Sequence, residues 1–384
     1  MSRRRLSATR FVNSSVNCRE GTIVSIKRIL LDIPRWMQGE AEESDIVLSS
    51  RVRLARNMVD LPFPHLMTAA QAETFLQRMA EAVQYVNQDD LISQHGPMVL
   101  YRVADITNLE RQALVEKHLI SPQLATGGQN RGLVISEDEV LSVMINEEDH
   151  LRIQCLFAGL QLEAAWQLAS SLDDALENRL EFAFQEQEGY LTACPTNVGT
   201  GLRASVMMHI PALVMTKQAE RILSALGKVG LVVRGIYGEG TQALGNVIQV
   251  SNQVTLGQVE GEIVANLTAA VKQIVAQEQL AREALMTNNR IQMADRIGRA
   301  FGILGNSHVI SSEEAVRLLS DVRLGIDLGF ITGLPASVFD QLLVQTRPGY
   351  LQVLAGQELD ALERDVRRAQ LLQSKLRSGD NMPS

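Results

Sequence analysis

The chain has 384 residues, 46% of them hydrophobic and 21% charged, which is enough for two or three domains with sizeable cores. Its formal net charge of −8 argues against a direct nucleic-acid partner, because no basic excess offsets phosphate repulsion. No apolar run reaches the length of a membrane span, and Cys18, Cys155 and Cys194 are too few and too far apart for a zinc-finger spacing, a usage that fits a reducing cytosol.

Residues 1–36 are Arg- and Ser-rich at the start and hold no acid before Glu20. They lack the apolar core of a secretory signal, so we expect a disordered or misassigned extension, with Met37 as an alternative start and an organelle-targeting segment as the other reading. A mixed domain is expected over 37–286. Its first signal is SSRVRLARN, Ser49 to Asn57, an extended stretch in which Arg51 and Arg53 point to one face. A helix is predicted at 68–86 from its apolar spacing. Strands follow at 98–105, 131–136 and 140–146, rich in β-branched and apolar residues between polar breaks. NEEDHLR (146–152) comes next, and a helix is predicted between Arg152 and Ala183. CPTNVGTGLR (194–203) reads as a glycine-containing loop. Strands at 230–237 and 246–252 enclose a second Gly-rich segment, and a long helix is predicted at 258–286. After that the strand signal fades. Residues 287–384 read as a separate helical domain, with a capping box at Ser311 and Glu314, a helix at 359–376 and a frayed tail. The fold class is therefore α+β: an antiparallel sheet flanked by helices, followed by a small all-helical C-terminal domain.

Four segments carry candidate chemistry. Arg51 and Arg53 form either a solvated strand edge or a phosphate clamp, since planar guanidinium forks match phosphate oxygens. In NEEDHLR, the acids either cap an element or supply a proton acceptor, with Arg152 as an anion ligand; His150 has no partner motif for a metal, and no protein metal site is expected. Gly199 and Gly201 permit a tight loop with exposed N–H groups, and Cys194 is a packing residue or a thiolate near a cationic substrate. Arg234 follows a strand, and Glu239 sits in a loop that is either a plain hairpin or a ligand cover. No Walker-type phosphate loop and no protein-kinase H-R-D or D-F-G set is present.

Together S-S-R-V-R (49–53), N-E-E-D-H-L-R (146–152), C-P-T-N-V-G-T-G-L-R (194–203) and R-G-x-x-G-E (234–239) resemble the ATP:guanidino phosphotransferase family, which includes creatine and arginine kinases. Within it the chain is most similar to the bacterial protein-arginine kinases, because only a short segment precedes Arg51, a helical region follows the catalytic part, and RDVRRA (364–369) resembles the phosphoarginine-binding R-D-x-x-R-A motif of that region. Read by itself, RDVRRA is a basic helix face.

The resemblance implies an antiparallel sheet flanked by helices. It implies ATP held by Ser49, Arg51, Arg53, Arg152, Arg203 and Arg234, and Mg²⁺ held mainly by the nucleotide phosphates. Glu148 would be the catalytic carboxylate, Glu239 a second acid gripping the guanidinium, and Cys194 the cysteine beside the substrate nitrogen. Arg364 and Arg368 would take the phosphate of phosphoarginine and Asp365 its guanidino nitrogens. One departure stands near Met207: the His that creatine-type enzymes place there is replaced by Met207–Met208–His209. Further implications are protein substrates with exposed arginine, a cytoplasmic homodimer, and a stress-response role marking proteins for Clp-type degradation, with a Clp ATPase, a repressor substrate and an activator as partners. The alternatives are a small-molecule guanidino kinase and a non-catalytic phosphoarginine-binding adaptor.

Overall fold

The computed structural model describes residues 26–38, 41, 43–235 and 244–377. Its centre is an eight-stranded sheet, antiparallel at every pairing. The strands are β1 (Val47–Arg56), β2 (Val99–Arg102), β3 (Gly132–Ile135), β4 (Leu141–Ile145), β5 (Leu151–Ala158), β6 (Leu202–His209), β7 (Leu231–Gly235) and β8 (Val247–Asn252). Their order is β2-β3-β4-β5-β1-β6-β8-β7, so β1 lies centrally between β5 and β6.

The two faces of this sheet have different chemistry. On β1, Val52 and Leu54 are fully buried, while Arg51 and Arg53 alternate with them and point the other way. Val52 and Leu54 face a core shared with Ile153, Ala204, Val206 and Val250. Two helices close that side: α4 (Leu162–Glu177) and α5 (Glu260–Asn288), whose Leu168, Leu172, Leu267 and Val271 belong to the same apolar cluster. Burying each such side chain contributes roughly 1.5–3 kcal/mol.

The opposite face is covered only in part. Leu133, Ile135 and Met144 pack beneath α1 (Ile26–Leu31) and α3 (Asn108–Glu116), through Ile29, Leu30, Ala113 and Leu114. Between α1 and α3 in the chain lies α2 (Ala69–Val86), which starts with a full capping box from Thr68 and Gln71. The middle of the face, where the arginines stand, borders a cavity.

Beyond α5 the chain is helical: α6 (Arg290–Asn306), α7 (Ser312–Asp327), α8 (Ser337–Gln345), α9 (Pro348–Ala355) and α10 (Ala361–Arg377). Ser311 caps α7 by accepting from the Glu314 N–H at 3.2 Å. These helices share a continuous apolar cluster with the sheet. Polar ties cross between them as well: Asn246 donates to Ser320 at 2.8 Å, and Arg323 donates to the Ser44 carbonyl at 2.6 Å.

Three expectations need correction. Residues 151–158 form strand β5; they were expected in a helix from Arg152. The apolar run Cys155–Ala158 at its end is largely buried and too short for periodicity to separate strand from helix. Residues 26–36, expected in a disordered extension, are built into the fold. Lys117, itself buried, donates to the Asp32 carbonyl at 2.8 Å and to the Ile29 carbonyl, and Trp36 packs with Leu156, Val344 and Tyr350. Finally, NEEDHLR is the turn of the β4–β5 hairpin rather than a junction between a strand and a helix.

Candidate active site

Strand register builds the cation cluster directly. Residues opposite each other in an antiparallel pair share a face. Arg53 lies opposite Arg203 on β6 and Gln154 on β5; Ala55 lies opposite Arg152; Arg51 lies opposite Ser205. Moving outward, Met207 pairs with Gln249, and Gln249 pairs with Arg234. The same face therefore carries Arg51, Arg53, Arg152, Arg203 and Arg234, drawn from four strands.

All five line one cavity of about 710 Å³, together with Glu148. A smaller cavity of about 80 Å³ adjoins it and shares Arg53, Arg152, Arg203 and Glu148; Cys194, Thr196 and Asn197 form its other wall. Placing these cations side by side is electrostatically unfavourable. Burial, with Arg152 and Arg203 nearby, pushes the Arg51 guanidinium down to about 10, and burial followed by Arg51, Arg152 and Arg203 pushes Arg53 well below its ordinary value. Arg53 Nε is buried with no acceptor among the described residues. Arg51 is steadied by Gln249, to which it donates at 3.0 Å. Such a surface suits a polyanion.

The β4–β5 turn holds three acids in three different states. Glu147 is buried and accepts from Arg152 Nη1 at 3.0 Å. Glu148 is exposed and accepts from Arg152 Nη2, also at 3.0 Å. Asp149 is buried and accepts at 2.7 Å from Asn57 Nδ2 and at 2.7 Å from the Ala193 N–H. Asp149 thus ties the turn bearing Glu148 to the loop bearing Cys194. His150 is also fully buried; its Nδ1 meets Asn57 Oδ1 at 2.9 Å and its ring meets Phe75 edge-on. Burial pushes its imidazole down to about 4, which makes it a neutral part of the turn's support.

The Cys194 loop follows from its glycines. Gly199 has φ 108°, and a Cβ there would lie 2.6 Å from the Thr255 carbonyl oxygen. Gly201 has φ 66°, and a Cβ there would strike Ala55 and the Arg56 guanidinium. Beneath the loop, buried Arg56 pairs with Asp173 at 2.6 Å, donates to the Thr200 carbonyl and covers the Tyr190 ring. The result holds Cys194 Sγ 3.0 Å from Thr196 Oγ1.

Sequence reasoning missed His118, which turns into the large cavity after α3 with φ 61°. Burial, with Arg51 and Arg347 adding to it, pushes its imidazole down to about 3, so it is neutral. His118, Met207 and Ser49 line a narrow extension of the site with Arg51. A lone His in a loop gives no sequence signal. His209 lies elsewhere: buried, with Nε2 at 2.8 Å from Ser320 on α7. Glu239 falls outside the described residues, as does the rest of its motif beyond Gly235.

Arg364, Asp365 and Arg368 lie together on α10, and none of the three lines the cavities described above. Arg364 donates to the Leu359 carbonyl at 2.7 Å. Arg368, expected on a phosphate, is 1% exposed and directs its donors to the Thr346 and Ile310 carbonyls, both at 2.8 Å, and to Asp365. As folded, only Arg364 and Asp365 of the three have exposed surface of note. Among the described residues, no group of three or more His, Cys, Asp or Glu side chains is arranged to hold a metal ion, and no helix is long and apolar enough to cross a membrane.

Comparison with known proteins matches residues 61–281 to the ATP:guanido phosphotransferase C-terminal catalytic domain, and residues 290–383 to the protein-arginine kinase McsB C-terminal domain. A protein-arginine kinase of Symbiobacterium thermophilum is 56% identical over 89% of this chain and 96% of its own length; one from Moorella thermoacetica is 52% identical over 89% and 97%. Among solved structures, a lombricine kinase aligns with TM-score 0.53 at 25% identity, covering 65% of this chain and 71% of its own. A duplicated taurocyamine kinase of Schistosoma mansoni, with transition-state analogue components bound, shares the fold at TM-score 0.55 and 24% identity; the alignment covers 65% of this chain and 36% of that one.

Proposed function

From the premise that this chain belongs to the ATP:guanido phosphotransferase family, we propose how its cavity performs the reaction of the protein-arginine kinases that match it along most of its length. The protein is an ATP-dependent protein-arginine kinase: it moves the γ-phosphoryl group of ATP to an arginine side chain of a protein. One observation carries the assignment of residues. Five arginines from four strands line the same cavity as Glu148, and Cys194 closes the adjoining one.

The triphosphate lies on Arg51, Arg53, Arg152, Arg203 and Arg234, and its charge relieves their mutual repulsion. Ser49 and His118 belong to the same nucleotide end. Mg²⁺, when bound, is held mainly by the phosphates and compensates further charge. The acceptor guanidinium enters the smaller cavity between Glu148 and Cys194. In the structure Glu148 already accepts a guanidinium, that of Arg152. The incoming substrate arginine presents the same chemical group, so it competes for the same carboxylate, while the phosphates compete for Arg152. Loading both substrates exchanges one internal ion pair for two productive ones.

As the N–P bond forms, the bond from phosphorus to the β–γ bridging oxygen breaks, and ADP leaves with that electron pair. The proton lost from the guanidino nitrogen passes to Glu148. An acceptor whose pKa exceeds about 12 is a poor nucleophile, so alignment supplies much of the acceleration. Glu239 serves as the second grip on the guanidinium in this proposal. The RDVRRA face binds phosphoarginine, which requires Arg368 to exchange its carbonyl contacts for phosphate. Phosphorylation turns a cationic fork into an anion, breaks the target's existing contacts, and marks it for a Clp-type protease; a repressor substrate, an activator and a homodimer in the cytoplasm complete this reading.

The test is incubation with ATP and either an arginine-rich protein or free arginine, followed by mass spectrometry that preserves acid-labile N–P bonds. Phosphoarginine in the protein is expected. Phosphate on free arginine alone would overturn the assignment.

A further inference from the structure

One cation in the large cavity belongs to none of the strands. Arg347 stands between α8 and α9, in the helical C-terminal part, and its side chain lines the same 710 Å³ cavity as Arg51, Arg53 and Arg203. We propose that Arg347 is a sixth nucleotide-binding arginine, supplied by the helical region to the phosphate chain of ATP, so that the nucleotide site is complete only when that region is docked. This rests on the reading that ATP occupies the large cavity.

Four observations fix Arg347 in place. Its Nε donates to the Leu343 carbonyl at 3.1 Å. Immediately after it, the first turn of α9 is clamped by Glu116 of α3, which accepts from the Gly349 N–H at 2.9 Å and the Tyr350 N–H at 2.7 Å. Immediately before it, the Thr346 carbonyl is held by the buried guanidinium of Arg368. Arg347 lines the large cavity together with Arg51 and His118 and is not among the residues lining the smaller one beside Cys194.

Arg347 shares its burial with Arg51 and Arg53, but its charged neighbours are Glu116 and Arg368 rather than the strand arginines. Burial lowers its guanidinium to about 10, Glu116 opposes that shift, and Arg368 adds to it. A desolvated cation facing a cavity already rich in cations gains most from an anion placed among them. The neighbouring walls from the same helices, Leu343, Val344 and Pro348, are apolar.

The experiment uses the full chain and compares wild type, Arg347→Ala, Arg347→Lys and Arg51→Ala. Equilibrium binding is measured for ATP, ADP and adenosine, alongside KM and kcat for both substrates. Arg347→Ala is expected to weaken ATP and ADP by ~10-fold or more, the scale of a charge-assisted hydrogen bond. Adenosine affinity and the KM for the protein substrate stay unchanged, and Arg347→Lys restores part of the loss. A thermal melt accompanies each variant; if the alanine variant unfolds, Arg347→Lys and Arg347→Gln carry the same comparison. Unchanged ATP affinity in a folded Arg347→Ala protein, with Arg51→Ala impaired, overturns this inference alone. Unchanged affinity in both removes ATP from the cavity and overturns the underlying reading too. Equal loss for adenosine and ATP overturns the phosphate assignment.

Discussion

Replacing Glu148 by Gln separates the two tasks assigned to its carboxylate, because the two measurable effects have opposite signs. The amide keeps the shape and removes both the charge and the ability to take a proton. Loss of a general base costs typically 10²–10⁴-fold in rate, so phosphate transfer to a protein substrate should fall by about that factor. ATP binding should improve. In the structure Arg152 is shared between Glu147 and Glu148, each at 3.0 Å, and bound phosphates compete with both for it. The Glu148 carboxylate is 43% exposed, so its pair with Arg152 is screened and contributes only about 0.2–1 kcal/mol. Releasing that competitor tightens ATP by ~1.4–5-fold, since 1.4 kcal/mol is tenfold. Transfer is read as acid-labile radiolabel from γ-labelled ATP, and affinity by equilibrium dialysis. A variant that transfers phosphate at the wild-type rate would refute Glu148 as proton acceptor. A variant that binds ATP tenfold more weakly would refute the competition.

Three further outcomes follow from the same geometry. Arg203→Ala should reduce the transfer rate ~10–100-fold, the scale of one charge-assisted contact, yet leave the ATP-free protein at least as resistant to heat, because a neighbour that lowers the Arg51 and Arg53 values is gone; a clear fall in Tm contradicts the repulsion argument. Gly199→Ala places a Cβ 2.6 Å from the Thr255 oxygen at φ 108°. It should cost about 1–3 kcal/mol in urea unfolding, together with activity, and a fully active, equally stable variant contradicts the loop's role. His150, with its imidazole pushed from an ordinary 6.5 to about 4, gives a pH test. Between those values the unfolded chain binds a proton that the native state does not, so the His150 contribution is intact above about 6.5 and declines as pH falls towards 4, by at most ~1.4 kcal/mol per unit. The stability advantage of wild type over His150→Asn should shrink across that window; a constant difference from pH 7 to 4 refutes the assignment of a neutral buried histidine.

Much of this site was legible in the sequence because its signals are local. Arg51-x-Arg53 on a strand needs only the two-residue period to put both forks on one face, and the glycines of CPTNVGTGLR announce backbone geometry that a Cβ forbids. The β5 strand was not legible. RIQCLFA alternates polar and apolar residues only over Arg152–Cys155; the apolar run from Cys155 to Ala158 that follows reads as helix as readily as strand, and the true helix begins only at Leu162. Strand β6 escaped for a related reason: RASVMMH carries one arginine among small and apolar residues, and its register with Arg53 is set by partners far away in sequence. His118 and Arg347 reach the cavity only through tertiary packing, so no spacing rule finds them.

The three acids of the β4–β5 turn show why adjacent residues of one chemical type need not share a task. Each carboxylate is assigned by what surrounds it. Glu147, buried, holds Arg152 in the cavity wall. Asp149, buried, spends its oxygen on Asn57 and the Ala193 N–H. Glu148 alone is exposed, and so alone can exchange its partner for a substrate without stranding a charge in the interior. The conformation that allows this begins at Asn146, whose φ of 57° starts the turn and whose side chain donates to the Asn130 and Ala72 carbonyls. Asparagine tolerates that backbone region better than most residues. The sequence order N-E-E-D-H thus encodes a turn former, an arginine holder, an exposed acid, a loop tie and a neutral buttress, five distinct environments within one turn.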